Sequence, residues 1–267
     1  MRPTHIQDIL PQIDGPSRYL GSEINTIHKD PREVILKVAL AFPDLYEIGT
    51  SHFGLQILYH VLNEHPHVMA ERVFTPAPDM QTYLRENDIP LPSMESGHPI
   101  GQFDILGFSL LYELNYTNVL AMLDLAGIPF KSQDRNHHHP LIIAGGPCTC
   151  NPEPVADFLD AIIIGDGEEV ILQLADSWIE WQKRDGRNRQ ALLATWSRLT
   201  GVYIPAMHDG TSPPVERVVL SDLDAAAFPH APIVPFGRPV HDRLRLELAR
   251  GCTRGWRFCQ PGTIYSP

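Results

Sequence analysis

Cys252 and Cys259 lie in the segment Arg250-Gly251-Cys252-Thr253-Arg254-Gly255-Trp256-Arg257-Phe258-Cys259-Gln260 and are the residues of this chain best suited to metal chemistry. Thiolates are the ligands of iron–sulfur clusters. A strand end that delivers cysteines at positions 1, 5 and 8 wraps three of them around a cubane and leaves the fourth iron open to a substrate. Here positions 1 and 8 are Cys252 and Cys259, and position 5 is Trp256, whose indole offers no ligand. The segment reads as an iron–sulfur site with one ligand missing. Cys148 and Cys150 make a second close pair. Four cysteines so placed are no disulfide framework for a chain this long, and reduced thiols or metal ligands are expected.

A second set of residues could grip a ligand without reacting with it. Asp44-Leu45-Tyr46-Glu47-Ile48-Gly49, Ser109-Leu110-Leu111 and Gly145-Gly146 each follow an apolar run of strand length, as do Thr75-Pro76 and Gly165-Asp166-Gly167. Glycine lets the backbone approach a ligand, and a hydroxyl can hydrogen-bond it. In an open α/β sheet the carboxyl ends of the strands form the ligand crevice, so a ligand is expected at this polar edge. His52 sits near this crevice, where it could approach a bound metal, but it heads a helix and reads rather as a cap or packing residue. His137-His138-His139, before Pro140, reads as a solvated connection, and Trp178 and Trp181 as helix packing. No nucleophile with a neighbouring base is recognisable, so no catalytic residue is assigned.

The elements that must position these residues start at Glu33. From there strand-length apolar runs alternate with amphipathic runs of helix length, the pattern of a mostly parallel sheet covered on both faces. Five strands are expected: Val34 to Leu40, Val68 to Phe74, Phe103 to Ser109, Leu141 to Ala144 and Ala161 to Ile164. A helix from about Ser51 places Leu55, Leu58 and Leu62 on one face, Asn115 caps a helix ending at Gly127, and Glu168-Glu169 open another running to about Lys183. Beyond Gly186 a short helix from Gln190 to Leu199 precedes a hairpin of Val202 to Ile204 and Val215 to Leu220, turned at His208-Asp209-Gly210. Pro229, Pro232, Pro235 and Pro239 then form a stiff linker to a strand, Arg243 to Ala249, that leads into Cys252. The division expected is an extension over 1–30, the α/β domain over 31–185, a linker over 186–241 and the start of another domain over 242–267.

The chain has 267 residues, 43% of them apolar, enough for a sizeable core. A net charge of −11 opposes non-specific adhesion to nucleic acid or anionic membrane, so a nucleic-acid partner is unsupported. No apolar run is long enough to span a bilayer and no signal peptide is recognisable, which points to the cytoplasm.

The Cys252 segment, with the apolar strand before it, resembles the radical S-adenosylmethionine (radical SAM) family and its Cys-x3-Cys-x2-Cys signature. That resemblance implies a 4Fe-4S cluster and S-adenosylmethionine, with Cys252 and Cys259 as first and third ligands and Trp256 in the middle position. Asp44 to Gly49 is similar to the Asp-x-His-x-x-Gly motif of cobalamin-binding domains, with Tyr46 where the cobalt-ligating histidine would stand. Ser109-Leu110-Leu111 and Gly145-Gly146 resemble that family's Ser-x-Leu and Gly-Gly. The implied cobalamin-binding residues are Asp44, Tyr46, Gly49, Ser109, Leu111, Gly145 and Gly146, in a flavodoxin-like doubly wound parallel sheet. From Val38 to Glu169 the chain resembles the uncharacterised radical SAM proteins with an N-terminal cobalamin-binding-like domain. Only the first strand and cluster loop of the family's partial barrel are recognisable, so the chain reads as truncated, with its C-terminal radical SAM domain missing and turnover compromised. The plainer alternative is a non-catalytic flavodoxin-like module that binds cobalamin or another nucleotide-tailed ligand.

Overall fold

The computed structural model describes residues 9–184, 186–208, 214–260 and 264. In chain order the main elements are β1 (Leu36–Phe42), α1 (Tyr46–Gly49), α2 (Phe53–Glu64), β2 (Val68–Phe74), α3 (Pro78–Glu86) and β3 (Ile105–Ser109). There follow α4 (Tyr116–Leu125), β4 (Leu141–Gly145), β5 (Ala161–Ile163), α5 (Glu168–Arg184), α6 (Arg189–Trp196) and β6 (Val202–Tyr203). The strands form one sheet in the order β2-β1-β3-β4-β5-β6. The first five are parallel, and β6 runs antiparallel to β5 through Ile162↔Tyr203 and Ile163↔Val202.

Parallel strands buried on both faces read as continuous apolar runs, which is why these segments stand out in the sequence. Alternate residues serve opposite layers. Leu40, Ile105, Ile143 and Ile163 pack toward α2, α5 and α6, while Ala41, Leu106, Ile142 and Ile162 pack toward α3 and α4. Trp178 and Trp196 are buried in the first layer, consistent with a packing role for Trp178.

Several expectations need correction. The sheet has six strands, because Val202–Tyr203 completes the edge of β5 instead of forming a hairpin arm. Val215 to Leu220 makes a single parallel bridge, Val218 to Gly165, just beyond β5. The expected turn at His208-Asp209-Gly210 lies partly outside the described residues. Arg243 to Ala249 is not a strand: Leu244, Leu246 and Leu248 are 78%, 67% and 88% exposed. Their alternation suits a pleated surface, but a strand is stabilised by its neighbours, and this segment has no strand partner among the described residues. Asn115 does not cap α4 with its side chain. Its Nδ2 instead donates to the Pro43 carbonyl at 2.9 Å, tying the start of α4 to the end of β1.

One edge of the sheet is β2, and it is covered. Arg72 on β2 is almost wholly buried between Glu23, at 2.9 Å, and Glu95, at 2.6 Å. Met94 N–H donates to the Arg72 carbonyl, and Arg72 N–H donates to Glu95. The strand edge thus finds its backbone partners within the chain. Ile9 and Ile13 are buried against the α3 and α4 layer, so the residues described before β1 are part of the packed body. Among the described residues no helix is long and apolar enough to cross a membrane.

Candidate functional site

A cavity of about 420 Å³ opens over the carboxyl ends of β1, β3, β4 and β5, between the first turns of α2 and α5. Its origin is the alternation along the strands. Gly107 and Ser109 of β3 lie beside Ile143 and Gly145 of β4, on the face turned toward α2 and α5. Glycine at 107 and 145 leaves the floor hollow where larger side chains would otherwise project. A Cβ at Gly145 would find nothing nearer than Ile163 Cβ, at 3.8 Å. The neighbouring Gly146 has a different role: its φ is +114°, and a Cβ there would lie 2.6 Å from the Leu110 carbonyl oxygen. That close approach lets the loops after β3 and β4 hydrogen-bond, Leu110 N–H to Gly145 O at 2.8 Å and Cys148 N–H to Leu110 O at 3.2 Å.

Few polar groups face this largely apolar hollow. Ser109 is 8% exposed, and its hydroxyl has no hydrogen-bond partner among the described residues. His52 caps α2, its Nδ1 accepting from Leu55 N–H at 3.2 Å, and burial, helped by the charge of Arg245, pushes its pKa down to about 4. At the mouth Arg250 meets Glu168 and pairs with Asp166 at 3.2 Å and Glu247 at 2.7 Å. The hydrogen bond to Glu247, with that to Glu168 and the charges of both, holds the guanidinium pKa above its ordinary value. Arg250 stands two residues before Cys252, so this cluster fastens the cysteine segment to the cavity rim.

Of the residues expected to hold a ligand, the fold brings Ser109, Gly145 and Gly146 together in the cavity, while Asp44, Tyr46, Gly49 and Leu111 do not line it. Asp44 accepts from Leu45 N–H at 2.8 Å and from Tyr112 and Asn115, each at 3.3 Å, and so organises the end of β1. Tyr46 is buried, donates to Glu23 at 3.0 Å and packs edge-on against Phe74. Burial pushes its phenol pKa up. Gly49 makes room for Phe74, whose ring would lie 2.4 Å from a Cβ there. Leu111 is partly buried against the core on the α2 and α5 side. Sequence reasoning missed Gly107 and the Arg250 cluster. The first had a readable signal, a glycine two residues before Ser109 on the same face; the second depends on partners far away in the chain.

All four cysteines are free thiols. Cys148 is buried, and burial with the charge of Glu113 raises its pKa to about 11. Cys150 is exposed and accepts from Gln260 Nε2 at 3.4 Å. Cys259 N–H closes a turn onto the Trp256 carbonyl at 3.0 Å, and the Trp256 ring stacks on Phe258. Among the described residues no group of three or more His, Cys, Asp or Glu is arranged to hold a metal. With an indole in the middle position, the segment supplies two thiolates where a three-thiolate cubane site needs three, and it does not fit that group.

An uncharacterized protein of Methanocaldococcus jannaschii is 24% identical to this chain over 239 residues, covering 88% of the chain. The chain spans 43% of the length of that relative. No solved structure matches. Residues 54–205, more than half of the chain and including β3, β4 and most of the cavity wall, match the family of radical SAM proteins, N-terminal, and the chain belongs to that family.

Proposed function

We propose that this chain is the N-terminal part of a cobalamin-binding radical SAM protein and that the cavity between α2 and α5 receives the nucleotide tail of cobalamin. The observation that carries the reading is the glycine-floored hollow at the carboxyl ends of the strands. The parallel order β2-β1-β3-β4-β5 supports a flavodoxin-like domain, which binds its ligand where the strand order reverses, between β1 and β3. Gly107, Ser109 and Gly145 lie beside that point. A volume of about 420 Å³ suits a nucleotide-sized group and not a whole corrin.

In this reading Ser109 offers its hydroxyl to the tail, Gly107 and Gly145 admit it, and the floor of Leu40, Ile143 and Ile163 excludes water from it. Tyr46, whose hydroxyl is committed to Glu23, would take no part in holding the corrin. Cobalamin, when bound, supplies group-transfer chemistry.

Membership of the family implies a 4Fe-4S cluster and S-adenosylmethionine in general. In this chain Trp256 removes one ligand, and we read Cys252 and Cys259 as the remainder of a cluster site that is not competent by itself. No reaction step is derived through it. The protein is placed in the cytoplasm, where its thiols stay reduced, with small-molecule cofactors and a C-terminal radical SAM domain as partners.

Titration of the whole chain with hydroxocobalamin tests the reading. A change in the corrin spectrum that saturates at about one equivalent, with corrin retained through desalting, is the expected result. An unchanged spectrum with no retained corrin would remove cobalamin and leave a flavodoxin-like module for a different nucleotide-tailed ligand.

A further inference from the structure

We infer that His52 is a hydrogen-bond donor into the cavity, locked in one tautomer by its capping role, so that it selects an oxygen acceptor on the bound molecule and cannot ligate a metal. The inference rests on the reading of the cavity as a ligand site but concerns a residue that reading leaves unused.

His52 is the N-cap of α2, with φ −89° and ψ 110°, and its Nδ1 accepts from Leu55 N–H at 3.2 Å. A ring nitrogen that accepts a hydrogen bond carries no proton. In a neutral imidazole the single proton is then on Nε2. Protonating Nδ1 would set it donor to donor against Leu55 N–H, at the end of a helix whose dipole disfavours a cation. Burial and the charge of Arg245 act in the same direction, so the ring is neutral at physiological pH.

The Nε2–H has no partner among the described residues, and the ring lines the cavity next to Gly54. Its plane is held by the cap and by Phe42, whose ring centroid is 5.3 Å away. The ring is partly exposed to the hollow, so its Nε2–H is free to donate to a carbonyl or phosphate oxygen that enters and displaces water there. A metal at Nε2 would require the proton to move to Nδ1. That move would forfeit the cap and oppose two donors, so His52 is closed to cobalt and iron alike. With the Ser109 hydroxyl it gives the cavity two polar points for a molecule bearing oxygen acceptors, as a nucleotide tail does.

The test uses the full chain labelled with ¹⁵N-histidine, observed by long-range ¹H–¹⁵N spectra with and without hydroxocobalamin, beside the variant His52→Asn. The wild-type ring should be neutral with the Nε2–H tautomer, and that proton should shift and persist when the corrin binds. Asparagine keeps an N-cap acceptor but lacks the reach of the imidazole, so H52N should fold normally and bind hydroxocobalamin roughly tenfold more weakly. An Nδ1–H tautomer, loss of the Nε2 proton on binding, or unchanged affinity in H52N would each overturn the donor role alone. Absence of corrin binding by the wild-type chain would overturn it together with the reading on which it rests.

Discussion

Arg250 and Glu168, 82 residues apart in sequence, form an ion pair at the mouth of the cavity. Glu168 is the first residue of α5, where the helix dipole favours a carboxylate, and its side chain is only 8% exposed. Arg250 also reaches Asp166 and Glu247 and is itself 26% exposed. This one side chain joins the β5–α5 loop to the segment carrying Cys252 and Cys259.

Replacing Arg250 by Ala should therefore release that segment without unfolding the sheet. Proteolysis between Arg243 and Gln260 should speed up several-fold, and amides there should lose exchange protection, while those of β1, β3 and β4 keep theirs. Because the nearly buried Glu168 loses its partner, a stability cost of about 1–3 kcal/mol is expected. Lysine at 250 should recover only part of the effect, since an ammonium cannot reproduce a guanidinium fork spanning three carboxylates. A cleavage rate in R250A equal to that of the wild type would remove the fastening role.

Gly145 and Gly146 are adjacent, yet their substitution should fail in opposite ways. Gly145→Leu places a side chain into open cavity, so the fold should persist and hydroxocobalamin affinity should fall at least tenfold. Gly146→Ala meets both a left-handed backbone and the Leu110 carbonyl, and should destabilise the chain by about 1–3 kcal/mol or more in urea unfolding. Equal stability losses in the two variants, or normal corrin binding by G145L, would contradict this division of roles.

What was legible in the sequence follows from how local its cause is. The five parallel strands were readable because burial on both faces makes each an unbroken apolar run, and Ser109, Gly145 and Gly146 were readable because they end such runs. Val202–Tyr203 is too short to show a period, and its place beside β5 depends on the sheet edge it meets. The Asp44 to Gly49 motif drew attention to Tyr46, but the residue that fixes Tyr46 is Glu23, which is itself held by Arg72. No local pattern pairs these three. Likewise the alternation of Arg243 to Ala249 is a strand signal that the described residues do not answer with a neighbouring strand.

The Trp256 position is the most direct place to test whether the cysteine segment is an impaired cluster site. Trp256 is 56% exposed and, among the described residues, its ring stacks on Phe258 alone, so Trp256→Cys should leave stability nearly unchanged. It restores thiols at positions 1, 5 and 8 of the segment. After anaerobic reconstitution with iron and sulfide and desalting, W256C should retain about four irons and four sulfides per chain, as a cubane requires. The wild type should retain well under that, and Cys252→Ala in the W256C background should lose the gain. If the wild type itself keeps a full complement, a thiolate from outside the segment must be recruited. Cys150, whose sulfur already accepts from Gln260, would then be the first residue to replace.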